Sequence, residues 1–578
     1  MSEQLIKEDV NMEGIDQEQK PSRMKKYIIF GAIILIIVII IIVIVIISSK
    51  SKDNSSNSDS GNSDEPIDPE PKPDQLDYEI STIKFPSDIK YIGSHYNYQG
   101  NLFLVYQKNS SENYFAGITN EDGEILKELL EIKSEDLDIT YIHRASSFSD
   151  GRRVLIGGKI LECTKEFLKC DDAKLVDLVF PEQLKNIPNL FFVFTEPIIN
   201  YGGEHIFWST FDKAMNIWNF VGELKFRDGK YYIENTQGLS NYFYDLYDKE
   251  KGTYSLPKVL RFGPIKQVVK GGEGLSIGGF LDYGLRKGIY QSLSEDNVTQ
   301  LTFFEGYDET TAISPDSKLA CVMTTRYSEH TSLEIIGLIP TPYSILASYL
   351  FSVDALNFII FNLRKDKPTN GNLGPVLVDL KRMKEDKNYK GAMLKTEDLW
   401  IFNGFMSWSP DSKKVMFDEI KKGTNLRRCQ VVKLKNYKPD NFTFENNFNG
   451  KVPYASSIEE TLNLHLDFPI NIYVNGTSGD LGIFHNHTKC EITYNQYSED
   501  NETFYNGTYY YEKFPDEHYV IFQVDIQSEG KKKGYCKYRL WFDLTEEVFL
   551  FDKADDGNKK SYGNCKYEGK EINVDIYQ

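Results

Sequence analysis

The chain has 578 residues, 40% of them hydrophobic and 13% aromatic, which is enough material to bury a sizeable core. A formal charge of −19 repels phosphate backbones, so no nucleic-acid partner is expected.

Residues 1–26 read as a disordered cytoplasmic tail. A transmembrane helix is predicted over 27–47. Its core, Ile28 to Ile47, is twenty residues without a charge. At about 1.5 Å per residue that run spans about 30 Å, the hydrocarbon thickness of a bilayer. A cleaved signal peptide would be shorter and would end in a small-residue cleavage site. Ser48-Ser49-Lys50-Ser51-Lys52 is a poor one, so an uncleaved signal-anchor is expected. Lys20, Arg23, Lys25 and Lys26 precede the span and only Lys50 and Lys52 follow closely, which places the N-terminus in the cytoplasm. Residues 48–77, rich in Ser, Asn, Asp and Pro, have little to bury and read as an extended polar stalk.

Asn-x-Ser/Thr sequons begin at Asn54, Asn109, Asn297, Asn441, Asn475, Asn486, Asn501 and Asn506. All follow the span, as an extracellular or lumenal C-terminal part requires. The seven cysteines also lie beyond it. In an oxidising compartment some pair. Cys163 and Cys170 are close enough to clamp a hairpin, and one pair is expected among Cys490, Cys536 and Cys565. Cys321 reads as a buried strand residue. The expectation is a single-pass type II membrane glycoprotein of the plasma membrane or an endomembrane.

From residue 78 the texture changes to short strands punctuated by turns. Turn-and-strand units appear in "NYQGNLFLVY" from Asn97, "SSFSDGRRVLIGG" from Ser146, "NYGGEHIFWS" from Asn200 and "VKGGEGLSIGG" from Val269. "TAISPDSKLACVMTT" from Thr311 and "FMSWSPDSKKVMFDE" from Phe405 repeat one motif, with "FSVDALNFIIF" from Phe351 between them. In the repeat, Pro315 or Pro410 presets φ for a turn, and Asp316 or Asp411 can accept bonds from backbone amides just ahead. The turns fall near 100, 151, 203, 272, 317, 355 and 412.

These motifs resemble the WD-like propeller repeats of the TolB type, whose blades also form the propeller of the dipeptidyl-peptidase and prolyl-oligopeptidase families. The resemblance implies an all-β fold: a β-propeller of six to eight blades over 78–440, then a C-terminal β-rich domain over 441–578.

Gly274-Leu275-Ser276-Ile277-Gly278 fits the G-x-S-x-G pattern of a hydrolase nucleophile. The resembled dipeptidyl-peptidases are also type II membrane glycoproteins and carry a similar string, with aromatic residues flanking the serine. A nucleophile elbow needs a helix after the serine, and "FLDYGLRKGIYQ" makes a poor one. Aligning Gly202-Gly203-Glu204 with Gly271-Gly272-Glu273 puts Ser276 opposite Phe207, in the middle of a blade strand. Ser276 is therefore read as scaffold, and no catalytic residue is assigned.

In the last segment, "NGTYYYEKF", "HYVIFQVDI", "YRLWFDL" and "EEVFLFD" alternate as half-buried strands do. A compact β domain is expected there, either a disulfide-held sandwich or a unit containing the closing blade. His485, His487 and Cys490 have metal-like spacing, but a fourth ligand is not evident. Neither a metal nor a cofactor is expected. The functional expectation is a non-catalytic propeller that presents a binding platform to a protein or glycan. The alternatives are an active or degenerate relative of the dipeptidyl-peptidases and a structural coat glycoprotein.

Overall fold

The structure is a computed structural model. It describes residues 76–578 apart from stretches at 138–144, 213–215, 242–244, 249–252, 282, 327–332, 357–372, 387–388, 395–396, 398, 422, 465–468, 545–547, 550–560 and 575–578. The apolar run Ile28 to Ile47, the stalk and Asn54 lie outside the described residues. Among those described, no helix is long and apolar enough to cross a membrane.

Six antiparallel blades follow one another along the chain, and the outer strands of the second and third pair in parallel, Leu178–Val179 with Tyr231–Tyr232, so that those two blades form one sheet. Blade 1 comprises β2 (Ile89–Tyr96), β3 (Leu102–Lys108), β4 (Tyr114–Thr119) and β5 (Ile125–Ile132), and β1 (Tyr78–Thr82) precedes it. Blade 2 comprises β6 (Ser146–Ser147), β7 (Arg153–Ile156), β8 (Lys159–Glu162) and β9 (Lys174–Val179). Blade 3 comprises β10 (Leu190–Ile199), β11 (His205–Asp212), β12 (Ile217–Arg227) and β13 (Lys230–Asn241). A small hairpin, β14 (Tyr247–Asp248) with β15 (Thr253–Tyr254), leads to blade 4. That blade has β16 (Val259–Leu260) and β17 (Ile265–Val269) on one side of β18 (Gly274–Leu281), with β19 (Tyr283–Ser292) and β20 (Val298–Gln300) beyond it. Blade 5 comprises β21 (Asp308–Ile313), β22 (Leu319–Thr324), β23 (Gly374–Asp379) and β24 (Ala392–Met393). Blade 6 comprises β25 (Trp400–Trp408), β26 (Lys414–Lys421) and β27 (Arg427–Leu434).

Blade 6 lacks a fourth strand of its own, and β1 supplies it. The register runs antiparallel from Tyr78 opposite Leu434 to Thr82 opposite Gln430. The Ile83 amide extends the pairing to the Cys429 carbonyl. Closure thus comes from the chain's N-terminal side, and the closing strand sought in the C-terminal segment is not there.

The middle strands of the blades alternate apolar residues between two neighbours, because successive side chains of a strand point to opposite faces. Leu102 and Leu104 pack toward Met416 and Val431 of blade 6. Phe103 and Val105 pack toward Val154 and Ile156 of blade 2. Leu155 and Ile160 meet Ile206 and Trp208 of blade 3, whose Phe207 and Val221 meet Leu275 and Ile277 of blade 4. Strands buried on both faces read as unbroken apolar runs. All six residues of β22 are buried, and so are all eight of β11, which carries His205, Ser209, Thr210 and Asp212 among its apolar residues. Each fully buried Leu, Val or Phe contributes about 1.5–3 kcal/mol, so the blade interfaces carry most of the stability.

Six of the seven turns read from the sequence join the first long strand of a blade to the next. The Ser-Pro-Asp-Ser-Lys turns are built as their chemistry suggests. Ser314 Oγ accepts from the Leu319 amide and donates to Asp316 Oδ1, which accepts from the Lys318 amide. Ser409, Asp411, Lys413 and Lys414 repeat the pattern. Asn97 and Asn200 play the serine's part in blades 1 and 3, each accepting two amides. The fourth turn position has positive φ in each: Gly100, Gly203, Ser317 and Ser412.

The seventh turn, near 355, is not one. Ile345–Phe351 is a helix that continues through Ser352–Leu356, within a long excursion between β22 and β23. The stretch "FSVDALNFIIF" imitates a turn and strand, but Asp354 accepts from Tyr511 Oη and Lys513 Nζ instead of capping a hairpin. Those two partners belong to the C-terminal sheet. This sheet is a single nine-stranded antiparallel array over Ile470–Asn573, not a sandwich. Its inner face carries Tyr494, Tyr505, Tyr509, Tyr511 and Tyr538, all in one continuous core with the helix Ile345–Phe351 and blades 4 to 6. Tyr505 Oη donates to the Pro340 carbonyl at 2.8 Å. These tyrosines therefore face the propeller, with Tyr510 on the other side.

Cys163 is bonded to Cys170 and Cys536 to Cys565. Cys321, Cys429 and Cys490 are buried free thiols. His485 is fully buried and sits across from Cys490 in register, whereas His487 is exposed in the following turn. Burial lowers the His485 pKa to about 4.

Candidate functional site

The inner strands β2, β6, β10, β17, β21 and β25 are joined blade to blade by one ring of bonds. His95 Nε2 and Ser147 Oγ are 2.7 Å apart. Ser146 Oγ accepts from the Ile199 amide at 3.0 Å. Lys266 Nζ meets Glu196 Oε1 at 2.8 Å. Gln267 exchanges two bonds with the Ile313 backbone, at 2.9 and 2.6 Å. Trp408 Nε1 donates to the Ala312 carbonyl at 2.7 Å, and the Tyr96 amide donates to Ser407 Oγ at 3.1 Å. These seven bonds, at six blade junctions, close a circle around a channel. Burying so many polar groups is tolerable because each finds its partner on the neighbouring blade.

Below the ring, Lys266 and Arg286 converge on Glu309 at 3.3 and 2.9 Å, and Tyr307 Oη donates to it at 2.5 Å. Burial alone would raise the Glu309 pKa. Lys266, Arg286 and Tyr307 overcome that and hold it at about 2. Glu196 and Glu309 against Lys266 and Arg286 balance in charge, so this layer is a neutral, fixed floor.

Above the ring is a cavity of about 740 Å³. Residues from all six blades line it. His95 borders it with its Nδ1 unbonded among the described residues, and burial lowers its pKa to about 4, so the ring is neutral at ordinary pH. The mouth carries Glu273, Asp316, Glu445 and Lys270. That excess of carboxylates gives the opening a negative potential.

The chain itself crosses this opening. After β27, Tyr437 Oη donates to Asp316 at 2.5 Å, and Lys318 pairs with Asp440 at 2.6 Å, both at the blade 5 turn. Phe444 then packs against Tyr98 of the blade 1 turn and Tyr201 of the blade 3 turn, with ring centroids 5.1 and 5.4 Å apart. Asn200 Nδ2 donates to Asn446 Oδ1 at 2.9 Å, and the Asn447 amide reaches the Gly271 carbonyl of blade 4 at 2.8 Å. Because blade 5 stands across the ring from blades 1 to 3, the path passes over the channel. Burial and Tyr201 raise the Tyr98 pKa to about 12, so its hydroxyl stays neutral.

Ser276 lies in β18, three residues into the strand, as Phe207 does in β11. It is fully buried, and its Oγ donates to the Thr311 carbonyl at 2.8 Å. No helix follows it; β19 does. The sequence reading of Ser276 as a strand residue matches this placement. What sequence reasoning missed was which residues build the channel. Glu196, Lys266 and Glu309 come from three blades and have no local signature. Tyr98 and Tyr201 had one: both follow an asparagine at the second position of a turn.

No protein-family model matches the sequence, and neither does any curated protein. Solved structures similar to the chain include a putative TolB from Agrobacterium tumefaciens, at 9% identity and a TM-score of 0.24 over 47% of this chain and 66% of that one. TolB from Acinetobacter baumannii matches at 10% identity and a TM-score of 0.25, over 60% and 65% of the two chains. Prolyl oligopeptidase B from Galerina marginata matches at 8% identity and a TM-score of 0.26, over 70% of this chain and 47% of that one. Each match thus spans about two thirds of the other protein or less. The propeller stands on its own blades and their closure.

Proposed function

We propose that the chain is a single-pass type II membrane glycoprotein whose propeller binds a protein or glycan ligand at the channel mouth without catalysis. The observation that carries the binding role is the cavity of about 740 Å³ between the ring of inter-blade bonds and the crossing segment. Its size lies in the range of ligand sites, about 300–1,000 Å³. The carboxylates at its rim favour a neutral or cationic ligand over a phosphorylated one. Ser276, engaged with the Thr311 carbonyl, favours the non-catalytic reading.

The membrane address rests on the apolar run Ile28 to Ile47 and on the sequons. Asn109, Asn297, Asn441, Asn475, Asn501 and Asn506 are all exposed, and Asn486 is half-buried. An oligosaccharide transferase can reach such sites without disturbing the core. The bonds Cys163–Cys170 and Cys536–Cys565 suit the same oxidising compartment.

Full-length chain made in a eukaryotic host and extracted in detergent tests both parts. N-glycosidase digestion is expected to increase its mobility on a denaturing gel. Ligands retained from a surface extract by the wild type are expected to be lost by Ala145→Trp, which fills the channel from a lining position. An unchanged mobility would refute the glycoprotein reading. Identical retention by wild type and variant would refute the channel as the binding site.

A further inference from the structure

We propose that residues 436–447 are a displaceable strap, which gates the channel from within the same chain. The inference rests on the channel being the binding site and adds how access to it is controlled.

The strap is fixed at its ends and weakly held between them. It leaves β27 with Asn436 at positive φ. On the far side Phe448 is buried against His205 and Phe207, with centroids 4.9 and 5.2 Å apart. Gln237 then bonds both Gly450 and Val452, Tyr454 Oη donates to the Ser292 carbonyl, and β28 (Ser456–Ser457) pairs with β13. Between these anchors the backbone is unladdered. Among the described residues, none from 436 to 446 makes a backbone-to-backbone hydrogen bond. Local segments of this kind, with side-chain contacts and exposed backbone, open at far lower cost than the sheets beside them.

What holds the middle down is a small set of contacts, most of them on blade turns, beginning with Tyr437 on Asp316 and Asp440 on Lys318. Phe444 packs on both Tyr98 and Tyr201, which also touch each other, and Phe442 packs edge-on against Phe444. Asn446 takes the Asn200 amide, and Asn447 Nδ2 donates to the Lys270 carbonyl. Thr443, Glu445, Asn446 and Asn447 are otherwise exposed. Lifting the strap therefore breaks ring contacts and a few polar bonds without disturbing a blade. A ligand that enters replaces the Phe444 ring on Tyr98 and Tyr201, so it brings an aromatic or flat apolar group to that place.

The test needs no ligand. Ala145→Cys puts a thiol on the channel lining, beneath the strap. Its rate of reaction with a small maleimide is measured by mass spectrometry in the full-length chain, in three backgrounds: intact strap, Phe444→Ala and Asn446→Ala. The buried thiols of Cys321, Cys429 and Cys490 report whether the fold is kept. Phe444→Ala is expected to speed labelling of residue 145 about tenfold, the equivalent of about 1.4 kcal/mol of lost ring contact, with Asn446→Ala intermediate and the buried thiols silent. Equal rates in all three backgrounds would overturn the gate while leaving the channel reading to its own capture test. A rise seen only together with reaction of the buried thiols in both variants would overturn it too, because the segment would then be part of the core.

Discussion

Replacing Glu309 with alanine is expected to cost about 3–5 kcal/mol of folding stability, more than any single apolar truncation of one methylene group. Glu309 holds Lys266 at 3.3 Å and Arg286 at 2.9 Å, and both cations are nearly inaccessible. Lys266 keeps Glu196 when Glu309 is lost. Arg286 keeps the Tyr307 hydroxyl, at 3.5 Å. A cation stranded under the channel is the main cost. Urea unfolding of wild type and variant measures it, and a loss below about 1 kcal/mol would mean that water reaches Arg286 freely. The pH dependence has a definite sign. The Glu309 pKa is held at about 2 in the folded chain, below its ordinary 4.5. A carboxyl with a depressed folded pKa stabilises fully above its unfolded value and stops doing so as pH falls through the folded one. Wild type is therefore expected to lose this contribution between about pH 4.5 and 2, and Glu309→Ala to lack that component.

Asp418 behaves in the opposite sense. It sits in β26 where blade 6 meets blade 1, and burial raises its pKa from 3.8 to about 7, against the lowering effects of the Tyr91 hydroxyl bond and Arg427. Tyr91 Oη donates to Oδ1 at 2.5 Å, and Oδ2 has no hydrogen-bond partner among the described residues. Ser94 and Cys429 complete the pocket around Tyr91. Below pH 3.8 the carboxyl is protonated in both folded and unfolded chains and makes no difference. Between 3.8 and 7 only the folded chain keeps the proton, so stability falls as pH rises, by up to about 4 kcal/mol. Asp418→Asn cannot ionise. Its melting temperature is expected to decline much less than that of wild type from pH 4 to pH 7.5. Parallel curves for the two proteins would show that Asp418 titrates normally.

These two carboxylates also mark how far the sequence could be read. The turns were legible because their chemistry is local. Ser314-Pro315-Asp316 and Ser409-Pro410-Asp411 build the same bonds wherever they stand, and Asn97 and Asn200 announce themselves in the same way. The blade strands were legible because short apolar runs such as Leu102 to Tyr106 and Leu319 to Met323 directly follow those turns. Ser276 was legible because nothing after Gly279 favours a helix. The misleading stretch was Phe351 to Phe361, whose Val353-Asp354 pattern imitates a blade turn. Its real determinants, Tyr511 and Lys513, lie more than 150 residues away. The C-terminal strands were recognised, but their pairing as one layer was not. Alternation reports that one face is covered and does not report what covers it. Here the cover is the helix Ile345–Phe351 and the lower ends of blades 4 to 6. The closing role of Tyr78–Thr82 was hidden for the same reason. A half-exposed five-residue strand carries no mark of a partner near residue 432.

Everything proposed for the channel depends on the blades closing into a ring through that pairing. Glu79 and Lys433 lie directly opposite each other in the register. Directly opposed residues of an antiparallel pair have Cα atoms about 4.5–5.5 Å apart, within reach of a disulfide. Glu79→Cys with Lys433→Cys, in the full-length chain, is therefore expected to form an intramolecular bond on mild oxidation. Peptide mapping would show the two segments joined in monomeric protein. Failure of the two thiols to join, or their joining only between separate molecules, would contradict closure of the propeller by its first strand.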